Sequence, residues 1–171
     1  KKVKDDKSYC ITVNRNHIIY AGRNKKLNWI GQCDNFSITN GHVIPALIHK
    51  IYEAKLNNKP LQVWGKGNCL REFMYAEDLA RIINWSINNY NDVDSFIVSP
   101  SNEISINHLV SLISELMNFE NDIIFDDTKP EGQLRKPSCN KKFLELNPSF
   151  EFTSLDLGLS KTISWFLSRL N

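Results

Sequence analysis

The chain has 171 residues, 42% of them hydrophobic, which is enough for one domain with a real core. A net charge of +2 is too mild for a nucleic-acid partner, whose domains concentrate basic residues on one face. Its apolar runs fall short of the ~20 residues of a membrane span, and no signal-peptide core is visible. Cys10, Cys33, Cys69 and Cys139 show neither zinc-type nor disulfide-framework spacing. The expectation is a cytoplasmic protein with no nucleic acid, no membrane and no metal.

In chain order, Lys1 to Lys7 read as a solvated end, with Asp5 and Asp6 diluting the lysines. Tyr9–Val13 and His17–Tyr20 read as strands around the polar Asn14-Arg-Asn16. From Asn40 a helix is predicted, because Ile44, Leu47, Ile48, Ile51 and Ala54 recur at helical spacing. Pro45 fits only its first turn, where a missing N–H costs little. Residues 55–60 are a polar connector. Leu61, Val63 and Trp64 make a short strand, Gly65-Lys-Gly67-Asn68 a turn, and Phe73–Tyr75 a return to β-type residues.

Ala76–Tyr90 reads as a second helix with Leu79, Ile82, Ile83 and Ile87 along one side and Trp85 on a flank. Asp78 is expected to cap it. Ser95–Val98 is expected as a short buried strand. Ser105 is a predicted N-cap for a helix whose stripe is Leu109, Leu112, Ile113 and Leu116. Ile123–Phe125 reads as a strand leading into the loop 126–136. Leu155–Leu170 is the last helix, with Leu159, Ile163, Phe166, Leu167 and Leu170 facing inward.

Chemistry concentrates between Asn40 and Tyr75. His42 falls at a helix N-terminus, and an imidazole is the side chain suited to exchanging protons near neutral pH. His49 and Lys50 lie two turns on, near the same face. Trp64 and Arg71 are expected on two strands flanking the glycine turn. An indole for stacking and a guanidinium for a bidentate grip suit a nucleotide-type ligand. The plain alternatives are a loop-bonded histidine, a solvated lysine, a core tryptophan and a surface arginine.

Several blocks carry a resemblance: Asp34-Asn-Phe36, Gly41 to Lys50, Trp64-Gly-x-Gly, Arg71-Glu-Phe, and Phe125 to Lys136. The Trp-Gly-x-Gly and Arg-Glu-Phe elements are shared by many nucleotide-sugar epimerases and dehydratases. The His42 block and the Lys129–Lys136 block are more specific, and with them residues 28–171 resemble the GDP-L-fucose synthase family of extended short-chain dehydrogenases/reductases. The resemblance covers the second half of that family's chain.

The resemblance implies an α/β fold: residues 28–171 as the small C-terminal substrate-binding domain, most of the Rossmann half missing, and residues 1–27 unmatched. It implies His42 as the catalytic acid/base, lying near the cofactor. Lys50, Trp64, Arg71, Glu131 and Lys136 would bind the substrate, a GDP-sugar. Asn28, surviving with Gly31 where the family reads Pro-Thr-Asn-x-x-Gly-Pro, would face the cofactor. Lys129, Arg135 and Lys136 around Gly132 would close over an anionic ligand, or form an exposed basic turn.

The family's cofactor is NADPH, gripped by a Gly-x-x-Gly-x-x-Gly loop and used with a Tyr-x-x-x-Lys pair. Neither pattern occurs in this sequence. The family's homodimer is built from helices of the cofactor domain. The implied activity is therefore GDP-L-fucose synthesis, with this chain supplying the GDP-sugar-binding part and inactive alone. The alternatives are another nucleotide-sugar epimerase or dehydratase, a non-catalytic nucleotide-sugar-binding module, and a truncated gene product without activity.

Overall fold

The computed structural model describes residues 35–129 and 131–170 in full, and the backbone alone of Ile18–Arg23 and Lys26–Gly31. The strand expected at Tyr9–Val13, the solvated end, and residues Cys10 and Cys33 lie outside the described residues, as does the Asn28 side chain. Ile18–Arg23 (β1) and Lys26–Gly31 (β2) form an antiparallel pair.

The rest is a mixed α/β unit. Val43–Leu56 (α1) begins at His42, its N-cap, with Pro45 in the first turn as expected. One face, Ala46, Leu47, Ile48, Ile51 and Ala54, is buried. Asn58 turns the chain out of the helix at φ 48°, a left-handed conformation that asparagine tolerates. Leu61–Trp64 (β3) follows and alternates strictly, with Leu61 and Val63 inward and Gln62 and Trp64 outward.

The partner of β3 is not the strand after the glycine turn. It pairs in parallel with Ile123–Asp126 (β6), Trp64 opposite Asp126. Leu70–Glu72 (β4) pairs antiparallel with Glu103–Ser105 (β5), a strand the sequence pattern did not reveal. The strand expected at Phe73–Tyr75 therefore sits three residues earlier. Trp64 and Arg71 do flank the turn, but in two separate sheets.

Three helices close the core against these strands. Ile106–Leu116 (α3) is capped as expected by Ser105, whose hydroxyl accepts from His108 N at 3.1 Å. Its Leu109, Val110 and Ile113, with Met117 just beyond, share one buried cluster with residues of α1 and β3. Leu116, expected inward, is exposed. The last helix, Leu155–Ser168 (α5), buries Leu159, Ile163 and Phe166, while Leu167 and Leu170 face outward. Residues 47–51, 61–63, 109–117 and 159–166 contribute to one hydrophobic cluster.

A second, aromatic cluster surrounds Phe143 on Lys141–Leu146 (α4), a short helix missed in the sequence. Phe143 is fully buried and contacts Trp85, Phe96, Phe150 and Phe152. Residues 95–98, expected as a buried strand, have no ladder partner; Phe96 stacks on Phe143 instead, and Ile97 is exposed. The helix Ala76–Asn89 (α2) buries Ile82, but Ile83 and Ile87 are exposed.

Asp78 is not the cap of α2; Tyr75 is. Asp78 is 1% exposed and accepts from Thr153 N at 2.7 Å, Thr153 Oγ1 at 2.9 Å and Arg81 Nη1 at 3.0 Å. It fastens α2 to the segment that enters α5. Among the described residues no helix is long and apolar enough to cross a membrane, and no cluster of His, Cys, Asp or Glu is placed to hold a metal ion.

Candidate functional site

A cavity of about 630 Å³ opens between the N-terminal half of α1, the glycine turn and the segment after β6. His42, Lys50, Trp64, Arg71 and Glu131 all line it. Residues far apart in the sequence are thus brought to one place. Its size falls in the ordinary range for a small-molecule site, roughly 300–1,000 Å³.

Each side chain arrives for a local reason. His42 sits on the rim because it is the extended residue that precedes α1, with φ −71° and ψ 176°. Its carbonyl takes the first helical hydrogen bond, from Ala46 N at 3.0 Å. Lys50 lies two turns on, about 12 Å along the axis at 1.5 Å per residue. Burial lowers its pKa below the ordinary lysine value. His49, by contrast, does not reach the cavity: its Nδ1 bonds Phe36 O at 2.6 Å and its Nε2 lies 3.5 Å from Glu53.

Trp64 ends β3 on the outward side of the alternation and is 62% exposed. The plain reading of a core aromatic is thereby removed. The turn after it needs its glycines: Gly65 and Gly67 have φ of +79° and +75°, where a side chain is strained. Asn107 N and Ile106 N at the start of α3 bond Gly67 O (2.8 Å) and Cys69 O (3.0 Å), which holds the turn down.

Arg71 occupies the middle of β4. Its Nη1 donates to Leu70 O at 2.6 Å, and Nη2 faces Gly132 so closely that a Cβ there would stand 2.9 Å away. The guanidinium thus rests beside the backbone of Gly132. Glu131 does not project a free carboxylate: its Oε1 accepts from Lys66 N and, at 3.1 Å, from Gly67 N.

Lys136 is exposed and lies outside the cavity lining. Arg135, expected beside it over an anionic ligand, is held by Glu103 through Nε at 2.7 Å and Nη2 at 2.6 Å, which raises its pKa further. Lys129, Arg135 and Lys136 do not line the cavity, and the exposure of Arg135 and Lys136 matches the alternative reading of an exposed basic turn. Asn28 stands opposite Ala21 in the β1–β2 pair; its side chain lies outside the described residues.

Glu72, for which sequence reasoning had no role, also lines the cavity. Burial pushes its carboxyl pKa up, but hydrogen bonds from Ser138 and Ser99 and the charge of Arg135 outweigh that and lower it. Ser99 Oγ donates at 2.7 Å, and Ser138 Oγ also donates. Only its place beside Arg71 in Arg-Glu-Phe pointed to it.

The site therefore presents two cationic side chains, a stacking surface and an imidazole, while both of its carboxylates are hydrogen-bonded to the protein. The model of the NAD dependent epimerase/dehydratase family matches residues 8–99, a span that begins inside the segment 1–27. The chain belongs to this family.

Relatives narrow the likeness. Over 142 residues the chain is 41% identical to the GDP-L-fucose synthase of Dictyostelium discoideum, covering 82% of this chain and 44% of that protein. It is 35% identical to the GDP-L-colitose synthase of Yersinia pseudotuberculosis, over 84% of this chain and 47% of that one. The crystal structure of a GDP-L-fucose synthetase from Naegleria fowleri bound to NADP superposes with a TM-score of 0.78 at 38% identity, over 80% of this chain and 43% of that one. The chain thus spans less than half the length of these relatives.

A dinucleotide pyrophosphate is held in such folds by a glycine-rich turn opening a helix. The described residues offer no such turn: α1 opens on His42 and carries Pro45, which lacks an N–H, in its first turn. No step through a nicotinamide is assigned to them.

Proposed function

We propose that this chain supplies the sugar-nucleotide-binding part of a GDP-L-fucose synthase. The observation that supports the reading most is the meeting of His42, Lys50, Trp64 and Arg71 in one cavity. Arg71 would receive the diphosphate, since a guanidinium pairs two phosphate oxygens at once. Lys50 would add a second charge, made stronger by partial desolvation. Trp64 offers an apolar face to the base or the sugar.

The complete reaction takes GDP-4-dehydro-6-deoxy-D-mannose, inverts C3 and C5, and reduces C4 with NADPH. Hydrogens at C3 and C5 are acidified by the neighbouring C4 carbonyl. His42, on the rim, is the group suited to moving protons there, as base on one carbon or acid on its other face. The hydride donor would be held by residues other than those described. Calorimetry of the folded chain with GDP and GDP-mannose tests the reading. Saturable binding supports it, and no heat at millimolar ligand overturns it.

A second reading is favoured by one observation, the 35% identity to a GDP-L-colitose synthase. It keeps GDP and changes the sugar. Binding of GDP together with preference for a dideoxy sugar over the 6-deoxy one would decide for it.

A further inference from the structure

Glu131 stands among the expected substrate ligands, yet its hydrogen bonds commit it to the protein. Its Oε1 accepts successive backbone N–H groups, from Lys66 and from Gly67 at 3.1 Å. Consecutive amides around left-handed residues make a small concavity for an anion. Here the chain fills that concavity with its own carboxylate, and a Cβ on Gly65 would collide with the Glu131 side chain.

The residue after Glu131 is pinned as well. Gly132 O accepts from the Cys69 thiol at 3.5 Å, and Leu134 O accepts from Leu70 N at 2.8 Å. At the first of these attachments Gly132 lies against Arg71 Nη2, 2.9 Å from where its own Cβ would stand. Farther on, Arg135 holds Glu103 and Ser138 holds Glu72. The segment 131–138 is thus strapped across β4, and Glu131 forms its first fastening.

We infer that Glu131 is a positioning residue: by closing this strap on the glycine turn it fixes, through Gly132, where the Arg71 guanidinium stands to receive a diphosphate. The identity of the ligand rests on the sugar-nucleotide reading; the fastening does not. A rival arrangement has the Lys66 and Gly67 amides taking the phosphate themselves, with Glu131 as a plug that must leave. The two differ in sign. Removing a fastening weakens anion binding, whereas removing a plug strengthens it.

The test measures binding of GDP and of inorganic pyrophosphate to the chain and to E131Q, E131A and E131D, with circular dichroism confirming the fold. Positioning through Arg71 predicts at least about fivefold weaker binding for E131Q and E131A, about 1 kcal/mol by the usual conversion. E131D, which keeps the carboxylate, should recover most of it. On an R71K background, E131Q should cost little more, because the group it positions is already gone. Tighter or unchanged binding in E131Q, or a full additive loss with R71K, overturns the inference. Wild type binding pyrophosphate but not GDP sinks the nucleotide reading and leaves the strap judged on pyrophosphate. Wild type binding neither overturns both.

Discussion

Lys50 carries its ammonium 5.3 Å from the centroid of the Trp64 indole. The pair joins the second turn of α1 to the end of β3 and sets one side of the cavity. A cation over an indole face is attractive by about 0.5–2 kcal/mol, more when desolvated. The same burial that strengthens the contact lowers the lysine pKa.

That shift has a sign that can be checked. A lysine with a lowered pKa loses its charge earlier than an exposed one as pH rises. Anion binding that uses Lys50 therefore declines below the ordinary lysine range. K50R keeps its charge throughout, because a guanidinium does not deprotonate in proteins. The ratio of wild-type to K50R affinity for GDP should fall as pH rises toward the ordinary lysine range. A flat ratio by titration calorimetry removes Lys50 from the grip.

Arg71 is expected to contribute more. Charged hydrogen bonds are worth about 1.5–3 kcal/mol each, so R71A should weaken GDP binding by about 10- to 100-fold. R71K should recover little, since an ammonium cannot reproduce the planar fork. Equal affinities for wild type and R71A would remove the proposed phosphate contact.

Asp78 is a matter of stability, not chemistry. It is buried, accepts from both Thr153 N and Thr153 Oγ1, and pairs with Arg81. D78A leaves those donors without an acceptor, and a loss of about 2–4 kcal/mol is expected in urea unfolding. T153A should cost less, about 1 kcal/mol, because the backbone donor remains. A D78A midpoint equal to wild type would show that the junction of α2 and the α5 entry is not fastened there.

Glu72 ties β4 to residues 99 and 138, and its pKa is lowered in the fold. A carboxylate held below its unfolded pKa adds stability above that unfolded value, and the gain is lost as pH falls through the folded one. Wild-type stability should therefore drop on acidification from about pH 5 downward more steeply than that of E72Q. Parallel curves in acid titrations of urea midpoints would deny the charge any role.

Much of this was legible in the sequence, and the failures have physical causes. The stripe of α1, the Ser105 cap and the glycine turn are local features, written in residues a few positions apart. Strand partners are not local. Nothing in Leu61–Trp64 says that its ladder lies with Ile123–Asp126 and not with the strand just after the turn. Phe96 and Ile97 read as strand because they are apolar, but aromatic stacking on Phe143 used that apolarity instead. Arg135 was open between an anion ligand and an exposed basic turn because Glu103, its actual partner, lies on a short strand that carries no clear pattern of its own.

Parallel pairing of β3 with β6 also bears on how the chain comes to fold. During synthesis the indole, the glycine turn and the guanidinium emerge well before the strand and strap that complete their surroundings. Until the later half is made, β3 lacks its ladder partner β6, and Leu61 and Val63 lack the α3 and α5 members of their cluster, apolar surface that a nascent chain would hold exposed. Ligand recognition should accordingly be absent from every shorter nascent length and arise in one step, when β6 and the segment after it leave the ribosome.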